Sequence, residues 1–467
     1  MPESDAIPGT LSVPVLSAAF RDGALFPADF TEHHLARIAQ IDPALRAFQW
    51  VDAPGARAAA AASAARWKAG QPLGPLDGVP LTIKDNMDIA GLPTRHGSTT
   101  TDPAPAAADS PAVARLRAAG AVILGKTTLP EFGWKGITDS RLQGGATRNP
   151  WDAARSPGGS SGGAAAALAA GIGTLAFGND GGGSIRIPSS FCGLYGLKPT
   201  AGRVPHHPME GVFATLVAGG PIARHVTDAA LMLAVMAEPD DRDWYALPAP
   251  PPDWLTGISP RLAGLRIAYA PELGEVVAAP DVRQALDRAA GALRAAGAVV
   301  DEIGPVIAPL EGVFSRFWLA GFANRLRTIP RDRWDELDPG YRALAETGLS
   351  VGVEEVLQAE AARARLWRQF AELYRRYDLL LTPTTPDPAP LVETVYHGPG
   401  YSRWRAVGYV LPFNLTGQPA ATIPCGLTQA GLPVGMQLAG PRYAEALVVA
   451  ASLGVEQALG GWPAPVV

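Results

Sequence analysis

Residues 156–163 read "SPGGSSGG", two adjacent serines between two glycine pairs. A flexible linker has this composition, and so does backbone that must take an unusual shape for chemistry. The surroundings decide between them. "RNPWDAAR" (148–155) precedes the stretch, and the small-residue run "AAAALAAGIGTLAFG" (164–178) follows it. A structured segment on both sides predicts an ordered turn into a helix. The run has fifteen residues, mostly small, whereas a membrane span needs about 20 predominantly apolar ones.

Outward from this turn the chain alternates between helical and strand-like patterns. "VPLTIKDN" (79–86) begins as a strand and runs into a loop near Asp85, with Lys84 just beyond the apolar part. In "DSPAVARLRAAGAVILG", Ser110 can cap a helix with Pro111 at its first position, Val113 and Leu116 face a core, and Gly120 ends the helix before a buried strand. "LRIAYA" (265–270), "DVRQALDRAAGALRAAG" (281–297) and "AVVDEI" (298–303) repeat the alternation. In the middle segment Val282, Leu286, Ala289 and Leu293 line one face. A helix over "RLWRQFAELYRRY" (365–377) places Leu366, Phe370, Leu373 and Tyr377 on one stripe, ahead of a strand at "DLLLTPTTP". "AATIPCG" and "LPVGMQLAG" suit neighbouring strands. Leu35, Ile38 and Ile41 mark an early helix, and a second follows through "APGARAAAAASAARWKAG". The expected class is α/β, a sheet covered by helices. "EPDDRDWYALPAPPPDWLTGISP" (238–260) is expected to be a surface connection within one domain.

The 467 residues carry 39 Lys and Arg against 44 Asp and Glu, a net charge of −5, which argues against bulk nucleic-acid binding. The two cysteines, Cys192 and Cys425, form no CxxC pair and no disulfide framework. They are expected in the core. Seven histidines include the pairs His33–His34 and His206–His207, but no HExxH motif or grouping at ligand spacing accompanies them. No metal is expected. The opening "MPESDAIPGT" has no basic region and no apolar run, so a signal peptide is not expected and the expected location is cytoplasmic.

Three pieces carry chemistry: "LTIKDN" with Lys84, "SPGGSSGG", and "GNDGGGSIRIPSS" with Ser184 after three glycines. Here the chain resembles the amidase signature family. The resemblance rests on "GPLDGVPLTIKDNMDIAG", "RNPWDAARSPGGSSGGAAAALAAG", "GNDGGGSIRIPSSFCGLYGLKPTAGRVP" and "LPFNLTGQPAATIPCGLTQAGLPVGMQLAG". It is dense over about 72–232 and returns near 404–450. It implies a single α/β/α domain over 1–467 around a twisted mixed β-sheet, with a helical segment of about 1–70 packed on it. It also implies a Ser–cis-Ser–Lys triad. Ser184 stands for the nucleophile, Ser160 for the bridging serine after a cis peptide, and Lys84 for the base. The family spacing of 24 residues back from Ser184 selects Ser160 over Ser161. Ser161 is expected to hydrogen-bond locally or cap the following helix. Ser160 is expected to touch both partners.

The residue types suit the task. A serine hydroxyl needs a base, and lysine is one only when neutral. At a reference pKa of about 10.4, roughly one lysine in a thousand is neutral near pH 7.4, and burial lowers that pKa. The backbone N–H groups of Gly181, Gly182, Gly183 and Ser184 are candidate oxyanion donors. Asp180 and Arg186 resemble the family's supporting ion pair. Asn179 stands where the family often has threonine, and Gly181 where it often has a bulkier residue. Trp404, Tyr409 and Phe413 lie where the family often lines its acyl pocket, and core aromatics would read the same way.

The expected function is hydrolysis of a linear carboxylic amide through an acyl-serine, releasing ammonia or an amine. Alternatives are a hydrolase of urea-derived amides such as biuret or allophanate, the glutaminase subunit of an aminoacyl-tRNA amidotransferase, and a binding protein without activity. The last would be expected to lose Lys84, Ser160 or Ser184. "RAVGYVLPFNLTGQPA" (405–420) departs from the glutaminase subunit's usual pattern. The expected partner is a small-molecule amide, with no cofactor, nucleic acid or membrane; a homodimer is left open.

Overall fold

Eleven short apolar runs along the chain build one mixed sheet. In chain order they are β1 (Phe48–Val51), β2 (Pro80–Lys84), β3 (Val122–Thr127), β4 (Leu175–Asp180), β5 (Tyr195–Lys198) and β6 (Ala218–Ala223). They continue as β7 (Arg266–Tyr269), β8 (Val299–Glu302), β9 (Leu379–Pro383), β10 (Ala420–Leu427) and β11 (Pro433–Ala439). The computed structural model describes residues 10–465 except 209–214, 252, 256, 309 and 394–402. Across the sheet the order is β1-β3-β2-β4-β6-β5-β10-β11-β9-β7-β8. β2 runs parallel to both β3 and β4, and β7 parallel to β8 and β9. The remaining pairs are antiparallel.

Successive strand residues face opposite sides, and the two sides carry different cores. Leu81, Ile83 and Ile123 join a layer with Val113 and Leu116 of the helix Pro111–Ala118, Leu286 and Leu293 of Pro280–Ala295, and Val448 of Glu445–Ala458. Val122 and Leu124 face the other way, onto Ala166 and Ala167 of Gly162–Ala169 and the early helices around Leu35 and Ala60. The molecule is thus a single α/β/α domain with a mixed sheet between helical layers. The helix Gly162–Ala169 is buried along its whole length. Its small side chains serve close packing beneath the sheet.

Some elements depart from the sequence expectations. The N-terminal segment is not wholly helical: Phe48–Val51 lies between the helices Pro27–Leu45 and Ala53–Lys68 and forms an edge of the sheet. The helix expected over 365–377 begins twelve residues earlier and spans Val353–Leu373, so Tyr377 lies past its end. Ser110 and Pro111 do occupy the N-cap and first helical positions, yet the Ser110 hydroxyl makes no capping bond. Residues 238–260 carry no helix or strand among those described.

Candidate functional site

The carboxyl ends of the parallel neighbours β2 and β4 bring the site together. Ile83 pairs with Phe177, so Lys84 at the end of β2 lies beside Asn179 and Asp180 at the end of β4. In open α/β sheets this is where ligands bind. Lys84 is the last residue of the strand, not a loop residue beyond it, and is fully buried. Its Nζ donates to Ser160 Oγ at 2.8 Å and to Asn179 Oδ1 at 2.7 Å. Burial pushes its pKa down from 10.5 to about 7, although the Asp180 carboxylate pulls the other way.

The turn that opened the sequence reading delivers Ser160. The Gly159–Ser160 peptide is cis. A Cβ on Gly159 would lie 2.9 Å from the backbone of Ile137, so only glycine permits this approach. Ser161 occupies the N-cap of the helix Gly162–Ala169, but its hydroxyl makes no cap there. It bonds instead to the Asn179 carbonyl at 3.3 Å, and its N–H donates to the Ser184 carbonyl at 3.1 Å. The expectation of a local bond or cap is corrected. Ser161 ties the turn to β4 and the serine loop.

Ser184 sits between β4 and the helix Arg186–Cys192. Asp180 curls the loop that carries it. Its carboxylate accepts the Gly183 N–H at 2.7 Å and the Ile185 N–H at 3.2 Å. The same carboxylate takes Arg186 Nε and NH2, each at 2.9 Å, and Asn414 Nδ2 at 2.9 Å. Burial alone would raise the Asp180 pKa, but Arg186 beside it holds the carboxyl far below the usual range. Arg186 also donates to Val410 O, Gln437 Oε1 and Asn414 Oδ1. Gly183 adopts φ +111°, and a Cβ there would meet Val410 at 2.5 Å.

Two expectations change here. Gly183 gives its N–H to Asp180, which leaves the amides of Gly181, Gly182 and Ser184 as the ones without a partner among the described residues. The Ser184 hydroxyl forms no hydrogen bond to Ser160 among the described residues, although both side chains face one cavity. Catalytic contacts are often long without substrate and tighten in the complex.

That cavity has a volume of about 430 Å³, and Phe132, Phe177, Trp318, Phe322 and Tyr341 are among its walls. A second cavity of about 170 Å³ also reaches Ser184. Tyr409 and Phe413, readable as acyl-pocket or as core aromatics, are fully buried and line neither. Tyr409 Oη donates to the carbonyls of Pro271 and Val276, and Phe413 packs on Phe370. Trp404 belongs to the short helix Arg403–Val407, but its side chain lies outside the described residues. The helix Glu311–Leu326 supplies the walls that sequence reasoning missed. Phe314, Trp318 and Phe322 meet at i, i+4, i+8 in tilted and edge-on contacts, with ring centroids 4.7 and 5.4 Å apart. The spacing was a usable signal. It was hidden because Phe317, on another face, enters a core layer, so the helix shows no single stripe.

Cys192 and Cys425 are buried, with burial pushing the Cys425 thiol up to about 12 and the Cys192 thiol above the range of a reactive nucleophile. Among the described residues there is no cluster of three or more His, Cys, Asp or Glu side chains suited to a metal ion. No helix among them is long and apolar enough to cross a membrane.

Comparison with known proteins agrees with this geometry. A model of the amidase family matches residues 29–449. An acylamidase of Rhodococcus erythropolis is 35% identical over 454 residues, covering 94% of this chain and 93% of the relative. The A-type polypeptide of the glutamyl-tRNA(Gln) amidotransferase of Symbiobacterium thermophilum is 36% identical, covering 94% and 95%. The crystal structure of a bacterial aryl acylamidase of the amidase signature enzymes superposes with a TM-score of 0.87 at 28% identity, covering 96% of each chain.

Proposed function

The chain belongs to the amidase family and is an enzyme acting on amide bonds, and we propose that it hydrolyses linear carboxylic amides through an acyl-Ser184 intermediate. The observation that carries this reading is the buried contact of 2.8 Å between Lys84 and Ser160. A lysine brought down to about 7 is substantially neutral at physiological pH and can take a proton.

In the proposed reaction Ser184 Oγ attacks the carbonyl carbon. Its proton passes to Ser160 Oγ, whose own proton passes to Lys84 Nζ. Asn179 Oδ1, 2.7 Å from Nζ, holds the amine in place without adding charge. The N–H groups of Gly181, Gly182 and Ser184 receive the oxyanion, and Asp180 orders the loop that presents them. When the C–N bond breaks, Lys84 returns its proton through Ser160 to the leaving nitrogen, so the amine departs neutral. Water then attacks the ester by the same relay and releases the carboxylic acid.

A second reading, as the glutaminase component of an amidotransferase, is favoured by the similarity to the A-type polypeptide of such an enzyme. The test is a panel of aliphatic, aryl, amino-acid and ureido amides plus glutamine, with ammonia or amine release measured. Fluorophosphonate trapping and peptide mapping accompany it. Label on Ser184 with turnover of simple amides supports the proposal. Turnover of glutamine alone would favour the second reading, turnover confined to biuret or allophanate the urea-derived class. Label on another residue would overturn the assignment of Ser184.

A further inference from the structure

Ser184 stands where two cavities meet, and Trp318 walls both of them. The indole is held between Phe314 and Phe322. Its Cη2 reaches the glycine loop: a Cβ added to either Gly181 or Gly182 would lie 3.7 Å from it. Gly181 borders the large cavity and Gly182 the small one. The ring therefore stands above the atoms that would receive the oxyanion and separates the two spaces on either side of the scissile carbon.

The proton relay tells the two sides apart. The leaving nitrogen must meet the group that protonates it, and in the proposed reaction that group is the Ser160 hydroxyl. Ser160 and Asn179 line the large cavity; neither lines the small one. The nitrogen and its substituent must therefore lie on the large side. The acyl group must lie opposite, in the small space walled by Trp134, Ile187, Phe314, Leu319, Leu344 and Val407. At about 170 Å³ this space has about two-fifths of the volume of the large cavity. It falls below the ~300–1,000 Å³ of pockets that enclose drug-sized ligands.

We propose that the small cavity receives the acyl group and the large, aromatic-walled cavity the departing amine, so that this enzyme cleaves short-chain acyl amides of bulky aromatic amines, with Trp318 setting the acyl length. This assignment rests on the acyl-Ser184 reading. It adds to that reading a direction across the site and a residue that limits one half of the substrate.

Two substrate series test it. One fixes the amine as 4-nitroaniline and extends the acyl group from acetyl through butanoyl and hexanoyl to decanoyl. The other fixes acetyl and enlarges the amine from ammonia through aniline to naphthylamine. The expected kcat/KM falls at least about tenfold between butanoyl and decanoyl, since a single misfitting methylene already changes discrimination by that order. It rises along the amine series. Trp318→Ala should raise the decanoyl-to-butanoyl ratio at least about tenfold by joining the spaces. Leu344→Trp, which fills the small cavity from the other wall, should lower the butanoyl-to-acetyl ratio and serves should the first variant fail to fold. An active enzyme whose acyl-length profile is flat, or is unmoved by both variants, overturns the assignment and leaves the hydrolase reading standing. Failure of the wild-type enzyme to turn over any amide or to acylate Ser184 overturns both.

Discussion

Replacing Lys84 with methionine keeps most of the side-chain volume and removes the amine, which isolates the consequence of burying it. In the folded chain the pKa of Lys84 falls from 10.5 to about 7, chiefly by desolvation. At 1.36 kcal/mol per unit, the folded state disfavours the protonated amine by on the order of 5 kcal/mol. The sign follows from proton linkage. Between pH 7 and 10.5 the unfolded chain binds more protons than the folded one, so wild-type stability rises with pH across that window. Below it the full penalty applies, and above it the penalty has gone. Lys84→Met escapes the penalty but leaves Asn179 Oδ1 and Ser160 Oγ without their donor, at about 1–3 kcal/mol for a buried group. With two acceptors orphaned the combined cost is about 2–6 kcal/mol, so the variant should lie between about 3 kcal/mol more stable and about 1 kcal/mol less stable than wild type near pH 6, and should lose about 4 kcal/mol relative to wild type between pH 6 and pH 10.5. Urea unfolding at both pH values measures this loss. In parallel, wild-type kcat/KM should rise with pH through one deprotonation near 7 and then level, since a neutral Lys84 needs no further base. The variant should lose that limb together with about 10²–10⁴ of the rate. A stability difference independent of pH would refute the burial argument. A variant with near-wild-type activity and the same rising limb would remove Lys84 from the role of base.

Ser184→Ala should abolish fluorophosphonate labelling and turnover while leaving the urea midpoint in place, because the Ser184 hydroxyl has no hydrogen-bond partner among the described residues to lose. Asp180→Asn should cost about 3–5 kcal/mol in urea unfolding. It leaves the Arg186 guanidinium, which is buried, without its counter-charge. Gly183→Ala should destabilise by about 1–3 kcal/mol through overpacking against Val410 and Ile187. Gly182→Ala, whose Cβ would meet nothing closer than 3.7 Å, should change the same midpoint far less.

What could be read in the sequence divides by the range of the interactions involved. The turn at 158–161, the glycine loop at 181–183 and the strand ending at Lys84 are local shapes that demand particular residue types. They carry the resemblance through which the family and the candidate serines and lysine became legible, while the alternation of apolar runs announced the sheet with its helices. Positions whose meaning depends on what packs against them were left open or misread. Tyr409 and Phe413 look the same in sequence whether an aromatic ring faces a cavity or a neighbouring helix, and both face the core. Ser161 and Ser110 carry strong capping chemistry in a local reading. Tertiary contacts give Ser161 the Asn179 carbonyl, and Ser110 lines the cavity instead. Trp318 was missed because its helix is apolar on two faces, one against the core and one lining the cavity.

Asn179 and Arg186 solve one electrostatic problem from two directions. The glycine loop needs a carboxylate at Asp180, because the Gly183 and Ile185 amides have to be gathered at one point. A bare carboxylate so near Lys84 would favour its protonated form and disable it as a base; the pull of Asp180 on Lys84 is already in that direction. Arg186 faces Asp180 through two contacts of 2.9 Å, which turns a charge into a compact pair whose field falls off faster. Asn179 then supplies the lysine with an acceptor that is neutral, where an aspartate at 2.7 Å would hold the ammonium charged. Desolvation is left as the larger influence on Lys84. In the proposed reaction, the contacts that anchor the loop are therefore also the ones that leave Lys84 free to act as the base, which gives a buried Asp–Arg pair a reason to sit beside it.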